Sequence, residues 1–245
     1  MDRAHERYAL YLAAVFFIVF ILLAIKPLHP SDWLLENILT VIAIILLFCT
    51  ARKFPLSRIS YTLIFIFLCM HEVGSHYTYA EVPYDQWFES IFGRTLNSLF
   101  GWERNHYDRL VHFNYGLLLA YPIFEVFHRI AQVRGFWAYF LPLDITMSTS
   151  MLYELIEWAA AMVVGGELGQ AYLGTQGDIW DAHKDMGLAS LGALLAMLIT
   201  LGISRYLQED FVQEWRKSLS VKERRPLGEY IIKKLLKDRK HAGEK

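Results

Sequence analysis

The residues able to do chemistry in this sequence are acids and histidines set inside or beside apolar runs. Gly174-Thr-Gln-Gly-Asp-Ile-Trp-Asp-Ala-His-Lys-Asp185 brings Asp178, Asp181, Asp185, His183 and Lys184 directly ahead of the apolar run 186–203. Asp108 and His112 are four apart and Glu154 and Glu157 three apart, so each pair projects from one helical face. His71-Glu72-Val-Gly-Ser-His76 closes a further apolar run. A carboxylate in hydrocarbon must meet a cation, a proton or water, and ionisable groups there mark functional sites by default. Imidazole and carboxylate groups on facing helices are how helical bundles hold metals. The chemistry expected is binding of a divalent ion (Zn, Mn or Fe) by a set drawn from His71, His76, Asp108, His112, Glu157, Asp178, Asp181, His183 and Asp185. Glu72 or Glu154 would act as general base and a metal-activated water as nucleophile. Arg104, Arg109 and Lys184 would hold an anionic headgroup, or pair with the surplus acids.

Each residue taken singly has a plainer reading. Asp181 or Asp185 could cap the helix that follows, where aspartate is favoured anyway. His71 and His76 are five apart, roughly 500° around a helix and so about 140° off a common face, which excludes the zinc-protease HExxH arrangement unless the helix ends between them. A solvated polar funnel explains any one of these side chains. It does not explain all of them at one depth.

That depth is set by the apolar runs. Of 245 residues, 55% are hydrophobic and only 20% charged, too apolar for an ordinary soluble domain. Runs near the ~18–20 residues of a bilayer crossing recur along the chain. Six spans are expected, at about 8–25, 34–50, 59–75, 108–128, 142–164 and 183–203, making residues 1–203 an all-α polytopic membrane bundle. The first run lacks a small-x-small cleavage site and is expected to be retained. Residues 77–107 are the longest break, long enough for short helices lying at the interface. Residues 204–245 form a basic cytoplasmic tail, with Glu229–Lys240 reading as a basic amphipathic helix suited to an anionic leaflet or as a solvated tail. Cys49 and Cys69 fall in apolar runs and read as small hydrophobes. Ala189-x-x-x-Ala193 and Gly192-x-x-x-Ala196 permit close helix packing. The near-neutral net charge of −1 gives no sign of nucleic acid; the expected partner is the lipid bilayer.

Arginine and lysine concentrate in the termini and in the turns at 51–58 and 129–135, which places both termini in the cytoplasm. With that orientation His71, Glu72, His76, Asp108, His112, Asp181, His183 and Asp185 all lie at the outer ends of their spans. Glu157 falls roughly 10 Å short of the outer end of its span, and Glu154 about one turn deeper. Four spans therefore deliver acids and histidines to one outer layer.

Four segments carry a family likeness: His71-Glu72-Val-Gly-Ser-His76-Tyr-Thr-Tyr, Asn105-His-Tyr-Asp108-Arg-Leu-Val-His112-Phe, Tyr153-Glu154-Leu-Ile-Glu157-Trp and Gly174-Thr-Gln-Gly-Asp178-Ile-Trp-Asp181. They resemble the YjdF-type family of uncharacterised bacterial inner-membrane proteins over about residues 8–203. More distantly, the order Asp108, His112, Glu157, Asp178, Asp181, Gly187 is similar to VanZ-like proteins, whose pattern lacks the His71/Glu72/His76 cluster. The resemblance implies a bacterial multi-pass inner-membrane protein with an outward-facing polar site, and no reaction. The residues themselves suggest a metal-dependent hydrolase or transferase acting on a lipid or lipid-linked envelope substrate. The alternative is a transporter or envelope-binding protein using the carboxylates for protons, ions or a ligand.

Overall fold

The computed structural model describes residues 3–165, 175–222 and 228–243, which contain helices and no strands. The long helices are α1 (Arg3–Leu23), α2 (Pro30–Thr50), α3 (Arg58–His76), α6 (Tyr107–Arg129), α7 (Phe136–Val164) and α8 (Asp181–Leu207). Short helices α4 (Tyr84–Phe92) and α5 (Leu96–Phe100) fill the break between α3 and α6, and α9 (Phe211–Ser218) and α10 (Glu229–Gly243) follow α8. Helix α6 is the hub: it packs on α3, α7 and most extensively α8, while α1 and α2 lean on α3.

The burial pattern is inverted relative to a soluble protein. Ile18, Ile42, Phe48, Leu198 and Ile199 are exposed, while Glu36, Glu72, His112, Asp181 and Asp185 are buried. An apolar exterior around a polar interior is what a hydrocarbon solvent selects, because every lipid-facing polar group would go unsatisfied. Four helices, α1, α2, α6 and α8, are long and apolar enough to cross a membrane by themselves. The other two long helices of the expected six, α3 and α7, carry His71, Glu72, Glu154 and Glu157 in otherwise apolar sequence and pack against that set.

The α6–α8 seam is closed by small residues. A Cβ on Gly192 would lie 2.1 Å from the Phe113 carbonyl oxygen, and one on Gly116 1.9 Å from that of Ala189. The two glycines thus let backbone meet backbone, with Ala189 and Ala193 fully buried alongside. The packing expected of this stripe is what the helices do.

Helix ends depart from expectation by a few residues. Helix α7 begins at Phe136, so Pro142 lies inside it rather than at its start. Gly135, at φ +60, turns the chain into α7 where a Cβ would strike Ser218 of α9. Part of the segment read as tail therefore belongs to the bundle: Phe211 and Trp215 pack on Tyr139, and Trp137 Nε1 donates to the Ser218 carbonyl at 3.1 Å. At this same end Glu125 accepts from Ser57 N at 2.9 Å, Ser60 Oγ at 2.5 Å and Arg129 at 2.5 Å, tying the α2–α3 turn to α6.

Candidate functional site

At the opposite end, helix geometry delivers the polar layer. Asp108 and His112 project from one face of α6, one turn apart, and Glu154 of α7 and Asp185 of α8 meet them. One ligand atom each from Asp108, His112 and Asp185 lie within 4.8 Å of one another. His112 Nε2 stands 3.5 Å from Asp108 Oδ1 and 3.5 Å from Glu154 Oε1. Glu154 Oε1 and Asp185 Oδ1 are buried without a hydrogen-bond partner. The spacing exceeds a good hydrogen bond. It is close to the ~3.3 Å between neighbouring ligands on a tetrahedral ion with ~2.05 Å bonds.

Three basic side chains and two more carboxylates pair with one another beside this cluster. Arg104 grips Asp181 through two nitrogens, at 2.7 and 3.1 Å, and donates to the Thr175 carbonyl at 3.0 Å. Arg109 reaches Asp178 at 2.6 Å and Asp181 at 3.2 Å, and Lys184 reaches Asp178 at 2.5 Å. Lys184, Trp180 N–H and Arg109 together hold the Asp178 carboxyl below its usual range, at about 2. Neither Asp181 nor Asp185 caps α8, whose N-cap residue Trp180 makes no side-chain cap; the Trp180 N–H is taken by Asp178 Oδ1 at 3.0 Å. Asp178 Oδ2 and both oxygens of Asp181 are thus occupied by cations of the protein itself, while Asp185 Oδ1 and Glu154 Oε1 are not. Residues 166–174, which include Gly174 at the start of the Gly174–Asp185 stretch, lie outside the described residues.

His106, just before α6, accepts from Arg109 Nη1 at 3.4 Å through Nδ1 and stacks on Trp102. Burial, then the charges of Arg109 and Arg104, lower its pKa. The folded state therefore prefers the neutral ring, and this contribution is complete above the unfolded value of about 6.5 and is lost as pH falls below it. We expect the wild-type thermal midpoint to fall between roughly pH 7 and 5 more steeply than that of His106→Gln; identical slopes would refute the assignment.

Other expected site residues are placed nearby but not together. The His71 ring meets Tyr79 Oη at 2.5 Å. Tyr79, in the loop after α3, is held far above its ordinary pKa by burial and by Glu36, Asp108 and Glu157, so the phenol keeps its proton and donates to His71 Nδ1. Both oxygens of Glu72 are buried without a hydrogen-bond partner, and the buried His71 ring also faces the backbone of Glu36 on α2. His76 turns away, its Nδ1 bonding the Leu23 carbonyl at 2.7 Å at the end of α1. His183 is exposed beside Trp180. Glu157 lies within electrostatic reach of Glu36, Glu154 and Asp108.

Helix α2 contributes residues absent from the sequence-based set. Glu36 is buried and accepts from Tyr153 Oη at 2.8 Å, and the Tyr153 ring meets His112 edge-on. Asn37 donates to Ser75 Oγ at 3.3 Å. The available signal was Glu36 itself, an acid inside a run otherwise apolar.

The family model described as predicted membrane protein (DUF2238) matches residues 8–206. The chain belongs to this family. It is 38% identical over 182 residues to the inner membrane protein YjdF of Escherichia coli (strain K12), covering 74% of this chain and 83% of that relative. No solved structure matches. The expected YjdF-type kinship is thereby established, and the DUF2238 match takes in every helix of the polar layer while excluding α9 and α10.

Proposed function

We propose that this DUF2238 protein spans the bacterial inner membrane six times with both termini in the cytoplasm, and that its polar layer faces outward as a divalent-metal site. The observation that carries this reading is the convergence of Asp108, His112 and Asp185 within 4.8 Å, with Asp185 Oδ1 buried and unpartnered. Two carboxylates and an imidazole held this close without a protein cation between them are stabilised by a divalent ion. Zn, Mn and Fe all suit this donor set. Arg104 and Arg109 cannot play that part, since Asp178 and Asp181 already hold them.

The reaction class supported best is hydrolysis or group transfer on a lipid or lipid-linked envelope substrate. A bound metal would polarise the substrate and acidify a water. Glu154, its Oε1 free and facing His112, is positioned to take the proton. The ion-paired group beside the cluster holds three cations, Arg104, Arg109 and Lys184, against two carboxylates, Asp178 and Asp181, leaving one positive charge to meet an anionic headgroup. The test is to incubate reconstituted protein with envelope lipids from the same bacterium and follow species by mass spectrometry. Turnover of an anionic lipid or lipid-linked species by wild type, absent with Glu154→Gln, is expected. Lipid profiles that are identical with and without wild type would contradict the enzymatic reading.

One observation favours a second reading. Glu72 is fully buried with neither oxygen partnered, and the acids Glu36 and Glu157 continue the polar path behind Asp108. Such a path suits proton or cation passage by a transporter or binding protein.

A further inference from the structure

We propose that α4 and α5 form an in-plane collar whose apolar face is seated among the lipid chains of the leaflet bordering the polar layer, fixing the mouth of the site at headgroup depth. The inference stands apart from whether the site holds a metal.

Helix α4, Tyr84-Asp-Gln-Trp-Phe-Glu-Ser-Ile-Phe92, is sharply two-sided. At 100° per residue Tyr84, Trp87, Phe88, Ile91 and Phe92 share one side, and Asp85, Gln86, Glu89 and Ser90 the other. A helix of this kind on a soluble protein lays its apolar side on the core. Here none of its residues is buried: Trp87, Ile91 and Phe92 are exposed, as are Gln86, Glu89 and Ser90 opposite. In α5, Leu99 and Phe100 are exposed as well. Tyr84 packs against Val82 and Tyr107 at the start of α4, but an amphipathic helix whose remaining length is uncovered at Trp87, Ile91 and Phe92 and at Gln86, Glu89 and Ser90, joined to membrane helices, has the form of an interfacial helix: apolar side in the acyl boundary, polar side in water.

The occupant follows from continuity. The α4–α5 segment links α3 to α6, so both of its ends are fixed at the bundle that carries the exposed apolar surface. Its charge argues the same way: α4 carries Asp85 and Glu89 and no basic residue, so apolar burial rather than attraction to anionic lipid would hold it. Trp87 and Trp102 are residues that favour this depth.

The collar is bolted to the rim of the site. Asn97 N donates to Asp85 Oδ1 at 3.0 Å, Tyr84 Oη donates to Asn97 Oδ1 at 2.7 Å, and Asn97 Nδ2 donates to the Arg104 carbonyl at 3.1 Å. His106 N donates to Tyr84 Oη at 2.9 Å. Arg104 is the residue that grips Asp181. Seating α4 and α5 in the leaflet therefore sets the height of the Arg104–Asp181 pair, and a headgroup reaches that pair by lateral movement within the membrane.

The test uses the full chain with Cys49→Ser and Cys69→Ala, carrying one nitroxide at Ile91→Cys, Phe100→Cys or Gln86→Cys, in single-copy nanodiscs of neutral phosphatidylcholine. All three labelled positions are exposed, and Phe100→Cys gives up a ring stack on Trp102. Oxygen, which enters lipid, should collide with the labels at 91 and 100 several-fold more effectively, relative to a water-soluble nickel chelate, than with the label at 86. Equal accessibility of 91, 100 and 86 to the nickel chelate would overturn the proposal and make this face a surface awaiting a soluble partner. Shielding of 91 and 100 that appears only when discs hold two copies would overturn it in favour of self-association.

Discussion

Gly192→Leu should destabilise the bundle by about 3 kcal/mol, at the upper end of overpacking effects, and disorder the polar layer with it. Even the first side-chain atom would fall 2.1 Å from the Phe113 carbonyl oxygen and 2.7 Å from Leu117 N, both backbone atoms of α6 that cannot swing aside. The helices must separate, and Asp108 and His112 sit on one of them while Asp185 sits on the other. Gly202→Ala is the matched control, for a Cβ there meets nothing within 4 Å. Being a helix-interior glycine, it should be neutral or stabilising by up to ~1 kcal/mol. Thermal unfolding in detergent distinguishes the two. A Gly192→Leu protein as stable as wild type would mean that α6 and α8 do not meet backbone to backbone.

Arg104→Ala should cost about 3 kcal/mol, because it strips a two-pronged partner from an aspartate that is only 4% exposed. The loss stays at the lower end of the range for broken buried pairs because Arg109 still reaches Asp181 at 3.2 Å. Arg104→Lys should recover little, since an ammonium cannot make the two parallel bonds. The double variant Arg104→Ala/Asp181→Asn should be more stable than Arg104→Ala alone, for it removes the uncompensated charge. Unfolding midpoints of wild type, Arg104→Ala, Asp181→Asn and the double variant give the coupling directly, and strictly additive losses would show that the pair does not act as a unit.

The membrane class and the polar layer were legible in the sequence because hydrocarbon makes misplaced charge so costly. An acid in an apolar run must be satisfied somewhere, so Asp108, His112, Glu154 and Asp185 announce themselves before any contact is known. The small-residue stripe of α8 was legible for a similar reason, as glycine within a helix is costly unless close approach repays it. The division of labour within the layer was not legible. Asp181 and Asp185 are four apart on one helix and equally fit to cap, to bind metal or to pair with arginine; only the reach of Arg104 and Arg109 from the far side of the layer separates them. The role of α2 was hidden because Glu36 stands almost alone in its run, and its partner Tyr153 is distant in sequence. The i, i+5 spacing of His71 and His76 argued only against the zinc-protease HExxH arrangement; both were expected in the metal set, and the structure instead turns the two rings to different partners, Tyr79 and the Leu23 carbonyl.

The most direct measurement is elemental analysis of detergent-purified protein after equilibration with Zn, Mn and Fe salts, wild type beside His112→Ala, Asp185→Ala and Asp178→Asn. The metal reading predicts a stoichiometric ion in wild type and in Asp178→Asn, whose carboxylate serves only the neighbouring ion pairs, and its loss from His112→Ala and Asp185→Ala. No metal in folded wild-type protein under any of these conditions would contradict it and turn the acids of the layer toward proton or ligand binding.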